Sequence, residues 1–476
     1  MNPILVGLIL YLAAVLVIGF RAVEKNKTQS DFIVANRKLG AWPIALSERA
    51  SGESAWLLIG LPGAALAVGY LEIWSAIGCL LGIIFSWLFI AAPLRRLAGK
   101  YNVITLPDLI ATHFGGQNLF LRIIASLIIT FFFILYVAAQ FNGAGKVLNV
   151  TFGISHLSGM IIGAGIILLY TIMGGFRAVV WTDMLQALLM FSTLVILPIV
   201  GFIEIQSLDP AALHPLSNSS LSWTGEKTGV FAVLAVIGGL SWGFGYTGQP
   251  HLLARFLAIR DEGEVRRGRI IAYSWAIPAF FGAFFMGIVG VVLYGSQHFS
   301  DPEMIMPYMA THLLPGWFAG ILISGAIAAM MSTADSQLLV TTSALTEDIY
   351  HKIYRRQTSP ERLLRLSRIA TIVIGIIAFA MAYNSTELVF SLVSYAWSGL
   401  GASFGPVLLC ILYWKGLTKA GATAGMLTGA LSTILWKNIA VLQNIISERF
   451  ASYVLAFAVI VLVSLLTRAR TVHSAD

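Results

Sequence analysis

Apolar stretches near the ~20-residue length of a bilayer-crossing helix recur from one end of this chain to the other, with short polar segments between them. Only 11% of the 476 residues are charged and 58% are hydrophobic, whereas soluble domains carry about 25% charged residues. That is too little polar surface to clothe a soluble enzyme, and the long apolar runs exclude fibrous and disordered chains as well. A β-barrel would show short alternating segments instead. The class that remains is an all-α polytopic membrane protein.

About thirteen stretches are expected to be transmembrane helices: 3–20, 41–68, 72–93, 119–148, 157–175, 179–203, 230–256, 270–296, 307–346, 367–384, 388–413, 419–438 and 450–467. The ninth is long enough to hold a re-entrant or interfacial piece ahead of the helix proper. No linker suggests a second domain, so 1–476 reads as one transmembrane unit. The net charge is +8. In a soluble protein that would point to nucleic acid; here basic cytoplasmic loops account for it. Lys146, Lys227, Lys437 and Arg449 fall on the side of the N-terminus and Arg49 within a span, while the other Lys and Arg residues fall on the opposite side or at helix ends facing it. The positive-inside rule then places the N-terminus outside and the C-terminus in the cytoplasm of a cell (inner) membrane. Arg21, Lys25 and Lys27 follow the first apolar run, the pattern of a retained helix rather than a cleaved signal. Cys79 and Cys410 both lie in apolar stretches and form no disulfide framework. No obligate protein partner is evident.

Charges at membrane depth are costly and mark function more often than loops do. The second span carries Glu48, Arg49, Ser51, Gly52, Glu53 and Ser54 at its middle. Arg49 and Glu53 are four apart, so a continuous helix could pair them into a neutralised polar stripe. The alternative is a helix broken near Ala50–Gly52 whose freed carbonyls bind a cation. The seventh span, GGLSWGFGYTGQP at 238–250, is interrupted too, with five glycines, a proline, and Trp242 and Tyr246 four apart. Close packing through small residues explains the glycines but not the aromatic residues. Interrupted spans two and seven are offset by five, which fits two inverted five-helix repeats, helices 2–6 and 7–11, with the substrate bound between them. The repeats would cover 41–203 and 230–413, with an extra N-terminal helix and inner loop at 1–40 and C-terminal helices and tail at 419–476.

Asp183 lies near the start of the sixth span, where it either caps a helix after Gly174-Gly175 or serves a cation. In the ninth span Ser332, Asp335 and Ser336 share a helix face by their spacing. Oxygen ligands without thiolates or clustered imidazoles suit a hard cation such as Na⁺. No phosphate-binding loop and no catalytic triad can be assembled, so neither ATP drive nor an enzyme is expected, and no cofactor beyond a coupling ion.

At these residues the chain resembles the sodium/solute symporter family, most closely its proline-transporting branch. The landmarks are WLLIGLPGA (56–64), TLPD (105–108), GGFRAVVWTD (174–183), WGFGYTGQPHLLARF (242–256), AAMMSTADSQLLVTTSALTEDIY (328–350) and SYAWSGLGASFGP (394–406). The resemblance runs from the first helix to about residue 440 and implies a leucine-transporter-like core. It implies a sodium site made by the carbonyls of Ala50 and Glu53 with Ala329, Ser332 and Thr333, and a link of Asp183 to cation binding or release nearby; Asp335 and Ser336, on the oxygen-rich face of the ninth span, are expected to share that second site. It further implies a substrate pocket of Trp242, Tyr246 and Pro250, with Ser54, Trp56 and Tyr136 nearby, and coupling or gating roles for Arg37 and Arg255; Glu48 and Arg49, charged at membrane depth, are expected to share in coupling or gating. Where the branch reads Ala-Ser-Asp-Met-Ser-Gly-Trp, this chain has Ala50-Ser51-Gly52-Glu53-Ser54-Ala55-Trp56, and Glu48 and Arg49 replace small residues. The implied function is Na⁺-coupled symport of a small amino acid, L-proline first, in the lipid bilayer. Another amino acid or a monocarboxylate, H⁺ coupling, or a membrane sensor or channel are the alternatives.

Overall fold

Polar punctuation decides where the helices stop. The computed structural model describes residues 3–23, 35–115, 118–173, 175–354 and 358–473; Lys25, Lys27, Gly174, Arg355 and Arg356 lie outside them. The helices are α1 (Pro3–Val23), α2 (41–68), α3 (73–101), α4 (Leu106–His113), α5 (Leu119–Phe152), α6 (His156–Met173), α7 (Phe176–Ser207), α8 (Gly229–Leu240), α9 (Pro250–Ala258), α10 (Glu262–Tyr294), α11 (Ile305–Leu313), α12 (Gly316–Ser343, continuing in wide turns to Tyr354), α13 (Pro360–Tyr383), α14 (Val389–Tyr413), α15 (Lys419–Asn438) and α16 (Glu448–His473). Side chains of Thr105, Asp261, Ser359 and Thr418 accept hydrogen bonds from the first turns of α4, α10, α13 and α15, satisfying amides that a helix start leaves unpaired. Gly153 ends α5 in the left-handed region, at φ 66°.

Each expected stretch carries helix. The ninth divides into α11 and α12 at Leu314–Pro315, as its length suggested. Among the described residues, eight helices are long and apolar enough to cross a membrane, or nine if the pair Gly229–Gly245 and Pro250–Ala258, bent by 42°, is one span. One of the eight is Ala41–Tyr101, whose 61 residues exceed a single crossing of ~20. It turns at Gly69–Glu72, with Gly69 at φ 69°. Its two arms lie side by side: the Trp87 Nε1–H donates to Glu48 at 3.1 Å.

α2, α5, α7, α10, α12 and α14 pack around one another, with α1 laid against α7 and α12, and α15 and α16 against α14. The apolar window of α12 is 83% buried, whereas that of α13 is 33% buried. α13 presents Ile369, Ile372, Val373 and Ile376 outward. So large an apolar face would be a liability in water and suits lipid. Among the described residues the sole β feature is a bridge between Leu39 and Ile259. It ties the start of α2 to the end of α9.

Candidate functional site

α2 breaks at a single residue. Ser54 has φ 47° and ψ −171° inside an otherwise helical run, so the break lies beyond the expected Ala50–Gly52. Its loose ends are held by side chains. The Ala55 N–H donates to Gln140 Oε1 at 3.0 Å, and the Trp56 N–H to Ser54 Oγ at 3.1 Å. A wide turn at Trp56–Gly60 then resumes the helix.

Three ionisable side chains sit on the near side of this break, all buried. Arg49 Nε donates to Glu48 at 2.7 Å, its Nη2 also meets Glu48, and its Nη1 reaches Glu53 at 2.5 Å. The Arg49–Glu53 pair expected from spacing is therefore formed, with Glu48 as a second partner. The other Glu53 oxygen accepts from the Tyr246 hydroxyl at 3.0 Å. The guanidinium carbon lies 5.6 Å from the centre of the Tyr246 ring. Burying three ionisable groups is tolerable here because each has a hydrogen-bonded partner.

Across the break stands an aromatic layer. Trp56 and Trp242 have ring centres 4.5 Å apart, and Phe390 lies 5.3 Å from Trp242. Tyr136 donates to Ser54 Oγ at 3.3 Å, and Trp397 packs edge-on to Tyr246 at 4.8 Å. Ser54, Trp56, Tyr136, Trp242 and Tyr246 thus surround the break together. Pro250 does not join them. It opens α9 and lines a small crevice with Phe176, Thr105 and Asp348.

The face of α12 meets the same segment of α2 lower down. The Ser332 hydroxyl lies 3.0 Å from the Ala50 carbonyl and 3.1 Å from that of Ala329. Thr333 donates to the neighbouring Ser51 carbonyl at 3.1 Å. The Glu53 carbonyl accepts from the Trp56 N–H. Among the described residues no group of three His, Cys, Asp or Glu could hold a metal, so a cation here would rest on hydroxyl and carbonyl oxygens. Thr341 and Ser343 bond back to their own helix.

Below these oxygens Arg255, fully buried, ties three elements together. Its Nη2 donates to Ser336 at 2.5 Å, Ser51 at 2.7 Å and Asp183 at 3.2 Å, and its Nε to Ser47 at 3.1 Å. Ser47 donates to Asp183 at 2.6 Å. Asp183 caps nothing: α7 begins at Phe176 behind Gly175, two turns earlier. Asp335 accepts from Ser336 at 3.1 Å. Asp183 Oδ1 and Asp335 Oδ2 are buried without a hydrogen-bond partner, so acceptor capacity is left over for a cation. Arg37 is elsewhere, donating to the Val103 carbonyl at 2.6 Å on a loop.

At that same end of the bundle Arg122 bridges Asp108 and Asp348, each at 2.8 Å, and Lys352 reaches Asp108 at 2.6 Å. Burial, the largest influence, pushes the Asp108 carboxyl up. Lys352 and Arg122 together outweigh it and hold the group below its ordinary value.

Sequence reasoning passed over Gln140, Ser47, His251, Phe390 and Trp397. His251 Nε2 hydrogen-bonds the Ser51 carbonyl at 3.1 Å. Gln140 and Asn142 are isolated polar residues in a long apolar helix, which is a signal that could have been weighed; Phe390 gives none.

The profile of the sodium:solute symporter family matches residues 32–429. This chain belongs to that family. It is a multi-pass membrane protein and a Na⁺-coupled solute symporter, not an enzyme. The symporter is 38% identical over 467 residues to the high-affinity proline transporter PutP of Bacillus subtilis, covering 95% of this chain and 96% of the relative. It is also 38% identical over 443 residues to the sodium/proline symporter of Escherichia coli, covering 92% and 88%. A solved Na⁺-coupled sialic acid symporter, in a substrate-bound outward-open state, superposes with TM-score 0.79 at 22% identity, covering 98% of this chain and 97% of the other. MhsT in complex with L-phenylalanine superposes with TM-score 0.57 at 14% identity, covering 89% and 97%. At those identities the structural likeness speaks for the fold of the symporter, that of the leucine-transporter group.

Proposed function

We propose that this symporter carries a small amino acid, L-proline first, into the cell with Na⁺ by alternating access. The carrying observation is the meeting of Ser332 Oγ with the Ala50 and Ala329 carbonyls beside the α2 break, directly beneath the Trp56–Trp242 layer. Na⁺ is held by these oxygens with Thr333 and the Glu53 carbonyl, and Asp183, Asp335 and Ser336 receive it on the way out. Arg255 lies across that route and must shift for release. The substrate rests on Trp242, Tyr246, Trp56, Tyr136 and Ser54, where an apolar ring packs on aromatic faces and an ammonium gains from their quadrupoles. Pro250 shapes the path below. The proline transporters among the relatives support this substrate class.

In this reading thirteen helices cross the membrane, α8 with α9 and α11 with α12 each serving as one. Helices 2–6 and 7–11 form inverted repeats, and the chain runs from an outer N-terminus to a cytoplasmic C-terminus. The basic end that holds Arg37, Arg95, Arg122 and Lys352 supports this orientation.

One observation favours a second reading. Glu48, Arg49 and Glu53 bring charge to the pocket wall through Tyr246, which suits a different amino acid or a proton as the coupling ion. Uptake of a panel of labelled amino acids into proteoliposomes under separate Na⁺ and H⁺ gradients decides. Proline accumulation driven by Na⁺ alone is expected. Accumulation driven by H⁺ alone, or of another solute with proline ignored, would replace the first reading by the second.

A further inference from the structure

A single polar side chain interrupts the first helix. Between Pro3 and Phe20 the only polar side chain of α1 is Tyr11, and it lies mid-helix rather than in the interfacial belt where membrane tyrosines gather. Leu10 and Val17 face outward, while Tyr11 is turned inward and buried. Its height is fixed one turn away, where α1 and α12 cross backbone on backbone. A Cβ on Gly7 would lie 2.7 Å from the Gly320 carbonyl carbon, and one on Gly320 would lie 2.2 Å from the Ile4 carbonyl oxygen.

The Tyr11 hydroxyl joins α7 to α12. It accepts from Gln186 Nε2 at 3.0 Å and donates to the Met331 thioether at 3.4 Å. Gln186 is three residues beyond Asp183 on α7, and Met331 is four residues before Asp335 on α12. Each therefore lies about one turn from a carboxylate on the same helix face. The charges of Asp335 and Asp183 both reach the Tyr11 hydroxyl. Because that hydroxyl takes the Gln186 NH₂ group, the amide oxygen Oε1 is left over, buried and without a hydrogen-bond partner. Asp183 Oδ1 and Asp335 Oδ2 are open in the same way. Leaving three buried acceptors unmet is costly, and a hard cation that takes neutral and anionic oxygens together meets them.

We propose that Gln186 Oε1 is a ligand of the lower cation site beside Asp183 and Asp335, and that Tyr11, on a helix outside both proposed repeats, is the positioning residue that presents it. Tyr11→Phe would free the amide to turn its NH₂ group toward the ion, and a donor there opposes a cation. α1 thereby serves the ion and not only the lipid boundary. The inference rests on the reading of Asp183, Asp335 and Ser336 as the release site for Na⁺.

Radiolabelled Na⁺ binding to the purified full chain tests this role without a solute. Tyr11→Phe keeps the ring and removes the hydroxyl. It is expected to weaken Na⁺ binding roughly fivefold, the equivalent of one lost hydrogen bond, with the Na⁺-free melting curve unchanged. Gln186→Leu should weaken binding roughly tenfold, and Gln186→Glu, which keeps an oxygen, should stay within about threefold of the parent. Because Tyr11 acts through Gln186, adding Tyr11→Phe to Gln186→Leu should weaken binding no further. Parent affinity in Tyr11→Phe, or a double variant weaker than Gln186→Leu by the full Tyr11 factor, would reduce Tyr11 to a packing residue and overturn the inference. Should Gln186→Leu fail to fold, the Tyr11→Phe curve decides alone. Asp183→Asn separates this failure from that of the underlying reading. Weakened Na⁺ binding there, with parent affinity in Tyr11→Phe, leaves the release site standing and removes Tyr11 from it. Parent affinity in Asp183→Asn removes the release site, and the role of Tyr11 with it.

Discussion

α2 and the α8–α9 pair are both interrupted where the helices of the bundle meet, but the two breaks are built differently. The α2 break turns on one residue, Ser54, and is held by polar side chains: Gln140 on the Ala55 amide, Ser54 on the Trp56 amide, and Ser332 and Thr333 close to the carbonyls of Ala50 and Ser51. The α8–α9 break is spread over Trp242–Gln249; Trp397 and Ser86 donate to the Trp242 and Tyr246 carbonyls at 3.0 and 3.1 Å, and close approach of backbone completes it. A Cβ on Gly245 would lie 1.8 Å from Trp397 Nε1, and one on Gly248 would lie 2.5 Å from the Gly405 amide. The first break gathers charge and oxygens; the second gathers aromatic rings against bare backbone. In the proposed function the first break serves the ion and both breaks the solute, and the Tyr246–Glu53 hydrogen bond joins them.

The largest effect should come from the charges beside Ser54. Arg49→Met strands Glu48 and Glu53, and removing one partner of a buried ion pair costs about 3–5 kcal/mol. A steep fall in the melting temperature of the detergent-purified protein is expected, restored in part by combining it with Glu48→Gln and Glu53→Gln. A parent-like melt for Arg49→Met would mean that the α2 break needs no neutralised charge.

Gly245→Ala tests the other break. Overpacking costs about 1–3 kcal/mol, and the indole of Trp397, hydrogen-bonded to the Trp242 carbonyl at 3.0 Å, has little freedom to retreat. Gly238→Ala is the control, since its Cβ would meet nothing nearer than Ser447 Oγ at 3.8 Å. Similar melting curves for the two variants would remove close approach as the reason for these glycines.

Ser332→Ala should spare folding and strike the ion. The Na⁺ concentration for half-maximal uptake is expected to rise about tenfold, equivalent to about 1.4 kcal/mol, with substrate KM at saturating Na⁺ changed far less. Unchanged Na⁺ activation would detach the α12 hydroxyl face from the cation.

Gln140→Leu is the mildest of the four. It leaves the Ala55 amide without an acceptor, at about 1 kcal/mol, and should raise hydrogen exchange at residues 54–56 without moving Na⁺ activation by more than about twofold. Unaltered exchange there would show that the α2 break is held by packing rather than by the Gln140 hydrogen bond.

Hydropathy and spacing alone determined the helices, the membrane class and the polar stretch of α2, because each is a property of neighbouring residues along one helix. The Arg49–Glu53 pair is of the same kind, four residues apart on one helix. Tertiary structure decided the rest. The break fell at Ser54 because Gln140 waits on α5 for the Ala55 amide. Asp183, left open between a cap and a cation role by its sequence position, joins the Arg255 network because Ser47, 136 residues away, faces it. Arg449 came to rest over Trp242 because α16 packs back onto α14. Local periodicity fixes which face of a helix is polar; it carries no record of which distant helix that face will meet.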